Sequence, residues 1–182
     1  MGEVRINRVQ AVGTGAIEPV ARGRMREKTE SGAKRSFNLE EYVPYLLNRV
    51  GMQISFDVSR DIRHFRIKYS HLRVMLALFH HGPLRISDVA MLTIFELSTL
   101  SRVVVDLEKK GFISRLKNHG KGRIRQISLT PKGEELVRRL IPIAQAHEAS
   151  STQGLSAGER ALLIELLHRM RQNLETSRHK KT

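Results

Sequence analysis

The chain has 182 residues, with 32 Lys and Arg against 18 Asp and Glu for a formal net charge of +14, and no cysteine. That length supports one buried core without staples, and the lack of thiols excludes disulfide scaffolds, Cys-ligated zinc, thiol nucleophiles and cysteine redox sensing. So large a positive surplus points to a polyanionic partner, nucleic acid or an anionic membrane surface.

Residues 1–36 carry eight Lys and Arg against four acids, only +4 of the +14. Few large apolar residues and no sustained period occur there, so the segment reads as a mobile basic arm. From Leu39 the texture changes. Val43, Leu46, Leu47, Val50, Ile54, Val58, Ile62 and Phe65 recur at spacings of three and four, the stripe of a long amphipathic helix that starts near Pro44. A helix that long carries more apolar surface than one small core needs, which suggests a partner chain.

A second helix, with Ser70 expected as its N-cap, carries Leu72, Met75, Leu76, Leu78 and Phe79 and stops at His80-His81-Gly82-Pro83. A short helix from Ser87 through Leu92 and another from about Ser98 to Lys110, ended by Gly111, form a helix, a tight turn and a helix. Phe112 to Leu116 and Arg123 to Leu129 then read as two strands around a polar, glycine-bearing tip. Thr130-Pro131 opens the next helix, with Leu136, Val137, Leu140, Ile141 and Ile143 as its stripe, and Ser151-Thr152-Gln153-Gly154 breaks it. Ser156 and Glu159 form a capping box for a last helix bearing Leu163, Leu166, Leu167, Met170 and Leu174. A basic tail, 177–182, closes the chain.

This order predicts a mainly α fold with a small β-hairpin wing: a winged helix-turn-helix at about 69–130, flanked by long helices at about 39–66 and 131–176. The second helix of the turn motif must offer short polar donors and an arginine at its exposed N-terminal end, because that end enters the major groove. Ser98, Thr99, Ser101 and Arg102 supply such a face; Val103, Val104 and Leu107 supply the buried one. From Gly111 to Gly133 there are six Lys and Arg (Arg115, Lys117, Lys121, Arg123, Arg125, Lys132) and no acid. Two-residue spacing places Arg123 and Arg125 on one strand face.

On these stretches the chain resembles the MarR (multiple-antibiotic-resistance regulator) family: Leu72-Arg73-Val74-Met75-Leu76, Ile86-Ser87-Asp88-Val89-Ala90, Ser98 to Val104, Leu107-Glu108-Lys109-Lys110-Gly111-Phe112-Ile113, Ser128 to Gly133, and Leu155 to Arg160. The resemblance covers about residues 38–176 and implies a MarR-like domain at 37–176. It implies a homodimer on a pseudo-palindromic double-stranded operator, a transcriptional regulator acting as a repressor, and release by a small organic anion or phenolic ligand. DNA-binding residues implied are Ser98, Thr99, Ser101, Arg102, Lys117, Lys121, Arg123 and Arg125. Two positions depart from the family pattern. Lys121 stands where an Asp usually orients the wing arginine, here Arg123, and Ile94 stands where the turn often has glycine.

Other readings fare less well. The pair His80-His81 sits at a helix C-terminus, where the dipole favours it without a metal. Asp57, Asp61 and His64 share a helix face and are expected to pair with Arg60 and Arg63 more readily than to hold a cation. Gly13-Thr14-Gly15 lacks the third glycine of a dinucleotide loop, and neither His-Glu-x-x-His nor a nucleophile elbow occurs, so no enzyme, cofactor or metal is expected. The alternative is a basic architectural or RNA-binding protein without sequence readout; three Tyr, six Phe and no Trp leave little for base stacking. Apolar runs such as Val74 to Phe79 are far shorter than the roughly 20 residues of a membrane span. No secretory signal precedes the domain, so the expected location is the cytoplasm.

Overall fold

The computed structural model describes residues 37–117 and 124–179; the expected arm and the tip of the hairpin lie outside the described residues. Leu39 onward forms one compact unit. A 3-10 turn, Leu39–Glu41, leads into α1, Val43–Ile62, whose first turn holds Pro44, where the missing N–H leaves no helical bond unmade. A second 3-10 turn, Arg63–Phe65, precedes α2, Tyr69–His81. Then follow α3, Ile86–Thr93, and α4, Leu97–Lys109. Antiparallel strands β1, Ile113–Lys117, and β2, Ile124–Leu129, form the wing, and α5, Pro131–Ser151, and α6, Ala157–His179, complete the chain.

The core is built around α2. Leu72, Val74, Met75 and Leu78 are buried against Val58 and Ile62 of α1, Leu100, Val104 and Leu107 of α4, and Val137 and Leu140 of α5. Ile127 is fully buried, and its backbone exchanges two hydrogen bonds with Leu84 (2.8 and 3.0 Å), which fastens the wing to the segment before α3.

Helix starts divide into two kinds. At α5 the expected cap forms: Thr130 Oγ1 accepts from Gly133 N at 3.1 Å. At α6 the expected box forms too, with Ser156 N donating to Glu159 at 2.8 Å; these Ser156 bonds hold the Glu159 carboxyl below its ordinary range. At α2 the expected Ser70 cap does not form. Lys68 occupies the cap position, and its N–H donates to Nδ1 of His71 at 3.1 Å, so a ring nitrogen at the third helical position takes the acceptor role that a Glu plays in a capping box. Likewise α3 and α4 begin one residue before the expected serines, at Ile86 and Leu97, with no side-chain cap bond.

The long stripe of α1 changes character along its length. Val58 and Ile62 are buried and Ile54 and Phe65 half-buried, whereas Val43, Leu46, Leu47 and Val50 are exposed. Arg60 pairs with both Asp57 (3.4 Å) and Asp61 (3.3 Å), and His147 of α5 lies 2.9 Å from the Asp61 carboxylate, tying α1 to α5. Burial alone would raise the Asp61 pKa; the His147 bond and the Arg60 guanidinium outweigh it and hold it low.

Candidate nucleic-acid interface

The turn between α3 and α4 passes through Ile94, whose φ of +52° is left-handed. This is the position where glycine would be expected, and the β-branched residue there bears a steric cost. Three contacts hold the turn. Thr93 Oγ1 donates to Val89 O at 2.6 Å, the Arg73 guanidinium of α2 donates to Thr93 O, and the same guanidinium lies 4.4 Å over the Phe95 ring.

The turn delivers α4 with its apolar side inward. Leu100, Val103, Val104 and Leu107 are buried, while Ser98, Thr99, Ser101 and Arg102 are exposed, as the sequence led us to expect. Ser98, Arg102, Val105 and Lys109 follow one another at spacings of four, three and four, a single stripe on the outward side. Among the described residues no ion pair or hydrogen bond engages Arg102. No acid lies in the first turn, and Glu96 at the cap position makes no side-chain cap bond, so the first amide groups keep their positive partial charge beside one exposed carboxylate.

α4 is fixed from behind by His71. This imidazole is buried; its Nδ1 accepts from Lys68 N, so Nε2 carries the proton and donates to Asp106 Oδ2 at 3.0 Å. Lys110 Nζ lies 3.4 Å from the other oxygen. Burial pushes the His71 pKa down, and Lys110 and Lys68 push the same way; the Asp106 charge opposes them without reversing the shift.

In the wing, Ser114 and Ser128 pair across the strands with their hydroxyls 3.1 Å apart. Register then slips: Leu116 pairs with Gln126 and Lys117 with Ile124, so Arg125 takes the extra position of a bulge. The expectation that Arg123 and Arg125 share one strand face falls on Arg123, outside the described residues. Lys117 and Arg125 belong to β1 and β2; Lys121 and Arg123, and the side chains of all four, lie outside the described residues. Two of the six basic residues have structural duties: Arg115 Nε lies 2.9 Å from Glu108 on α4, and Lys132 Nζ donates to Lys110 O at 3.0 Å beside the Phe112 ring. Sequence reasoning missed Val105, Lys109, His71 and Asp106. The periodicity from Ser98 would have found the first two; the last two are brought together only by tertiary packing.

A MarR family model matches residues 67–124, the stretch from the start of α2 into β2. Over this stretch the chain is similar to the MarR family. Similarity extends past the matched segment: the chain is 24% identical to the HTH-type transcriptional repressor IacR of Pseudomonas putida, over 91% of this chain and 98% of that protein. A MarR-family transcriptional regulator from Silicibacter pomeroyi superposes with a TM-score of 0.70 at 26% identity, covering 78% of this chain and 96% of that one. BpsR of Bordetella bronchiseptica, whose DNA binding is regulated by 6-hydroxynicotinic acid, superposes with a TM-score of 0.66 at 25% identity, covering 72% of this chain and 99% of that one. No helix among the described residues is long and apolar enough to cross a membrane.

Proposed function

We propose that this chain is a cytoplasmic, sequence-specific regulator of transcription of the MarR family, a repressor that binds a pseudo-palindromic duplex as a homodimer and has no catalytic activity. The observation that carries the reading is the exposed stripe of α4, with an unengaged Arg102 among hydroxyls, set beside the basic wing. Ser98, Thr99, Ser101 and Arg102 meet base edges and nearby phosphates; Lys117, Lys121, Arg123 and Arg125 meet the backbone. The exposed apolar faces of α1 and α6 supply the dimer contact.

Release by a small organic anion or phenolic compound fits a second feature. A cavity of about 270 Å³ lies between α1, α2 and α5, with apolar walls including Val58, Leu72 and Leu76, one cation, Arg73, and one acid, Glu148, whose carboxylate is paired with Arg160. That guanidinium also holds Thr93 in the turn, so a ligand that engaged it would act on the position of α4.

Footprinting on the promoter region of its own gene tests the reading. A protected pseudo-palindrome is expected, with half-sites about one helical turn apart. Arg102→Ala should weaken binding to that site by roughly 1–3 kcal/mol while changing binding to random duplex far less. Equal affinity of the wild type for all duplexes would establish the basic architectural alternative instead.

A further inference from the structure

Val103, Val104 and Val105 are consecutive, yet the first two are buried and the third is 36% exposed, in mid-stripe on the outward side of α4. It is flanked by Ser101, Arg102 and Lys109, and these residues with Asp106 line a shallow depression of about 300 Å³. The Asp106 charge there is offset by Lys110 Nζ at 3.4 Å, while its other oxygen accepts from the neutral His71 ring at 3.0 Å. The result is an apolar floor with cations and a hydroxyl at its rim. Val is a weaker helix former than the Lys, Arg or Gln that would serve a solvated face or a phosphate contact.

We infer that Val105 is a specificity-determining residue that reads the 5-methyl group of a thymine. The inference rests on the DNA-binding reading above and deepens it. Thymine's methyl is the one apolar group that a base pair displays in the major groove. Val105 lies eight residues beyond Leu97, about 12 Å along the helix axis, a length comparable to the groove's width. It is also one turn beyond Arg102. The read thymine therefore belongs to the same half-site as the base or phosphate that Arg102 engages.

The test uses the full chain and a duplex enriched by it from a random pool, with each thymine replaced singly by deoxyuridine, which lacks only the methyl. At one position per half-site, the replacement should weaken wild-type binding about four-fold, the loss expected on uncovering one methyl group. Val105→Ala should bind the thymine and deoxyuridine duplexes equally. Val105→Thr, which keeps the shape and exchanges a methyl for a hydroxyl, should narrow the difference and guards against a fold defect in the alanine variant. If no replacement affects the wild type, or if both variants keep the full four-fold effect, Val105 does not read a methyl although the DNA-binding reading stands. Failure of the pool to enrich any duplex overturns that reading, and the methyl contact with it.

Discussion

Ile94 shows how a single residue records the demands of its fold. It is 70% exposed, so it gains little from burial, and its φ of +52° suits glycine far better. Left-handed backbone costs an L-residue about 1–2 kcal/mol, more when the side chain is branched, whereas glycine gives back about 0.5–1 kcal/mol through the entropy of its unfolded state. Ile94→Gly should therefore raise stability by about 0.5–1 kcal/mol, seen as a higher urea midpoint at unchanged slope. A lower midpoint would mean that Ile94 makes compensating contacts. The departure at position 94 was visible in the sequence. That the turn would keep its geometry regardless was not, because the restraint comes from Arg73 on α2, whose contacts with Thr93 and Phe95 span about 20 residues of sequence.

At the scale of elements, what local chemistry specifies was legible and what tertiary packing specifies was not. Thr130-Pro131-Lys132-Gly133 reads directly as a helix start: Thr130 caps, Pro131 opens, and a Cβ on Gly133 would lie 2.0 Å from Phe112 O, so only glycine fits. The cap of α2 was not legible, because it depends on an imidazole whose other nitrogen is engaged by α4. The bulge at Arg125 was also hidden, since strand spacing alone does not disclose register. The His71 link has a pH consequence. In the unfolded chain an imidazole takes up a proton near its ordinary value of about 6.5; in the fold the pKa is lower, so below that pH the unfolded state binds more protons. Stability is thus fully present above about pH 6.5 and is lost as pH falls toward the folded-state value. Protonation would also remove the Nδ1 acceptor of Lys68 N. Urea unfolding at pH 7.5 and 5.5 should show this loss, and His71→Gln should lose less of its stability across the same interval. An equal loss in the variant would place the pH dependence elsewhere.

The whole molecule is unfinished as a monomer. Every residue of α6 from Ala157 to Ser177 is exposed except the half-exposed Met170, and Leu162, Leu163, Leu166, Leu167 and Leu174 recur with helical spacing. Arg160 pairs with Glu148 at the base of α6, yet an isolated helix of 23 residues with such a face would be marginal in water. The first half of α1 offers a second exposed set, Val43, Leu46, Leu47 and Val50. Two copies that cover these faces would set two α4 helices on one duplex, and only that arrangement reads two half-sites at once. Sedimentation equilibrium at micromolar concentration should accordingly give a dimer mass for the full chain. Leu166→Glu with Leu167→Glu, which places charges in the seam and leaves the winged domain's core untouched, should shift the equilibrium to monomer. The same variant should bind a full operator with little more affinity than a half-site, because the second contact then loses its effective concentration. A wild-type monomer under these conditions would refute the two-half-site arrangement, and an unchanged dimer in the variant would move the interface away from α6.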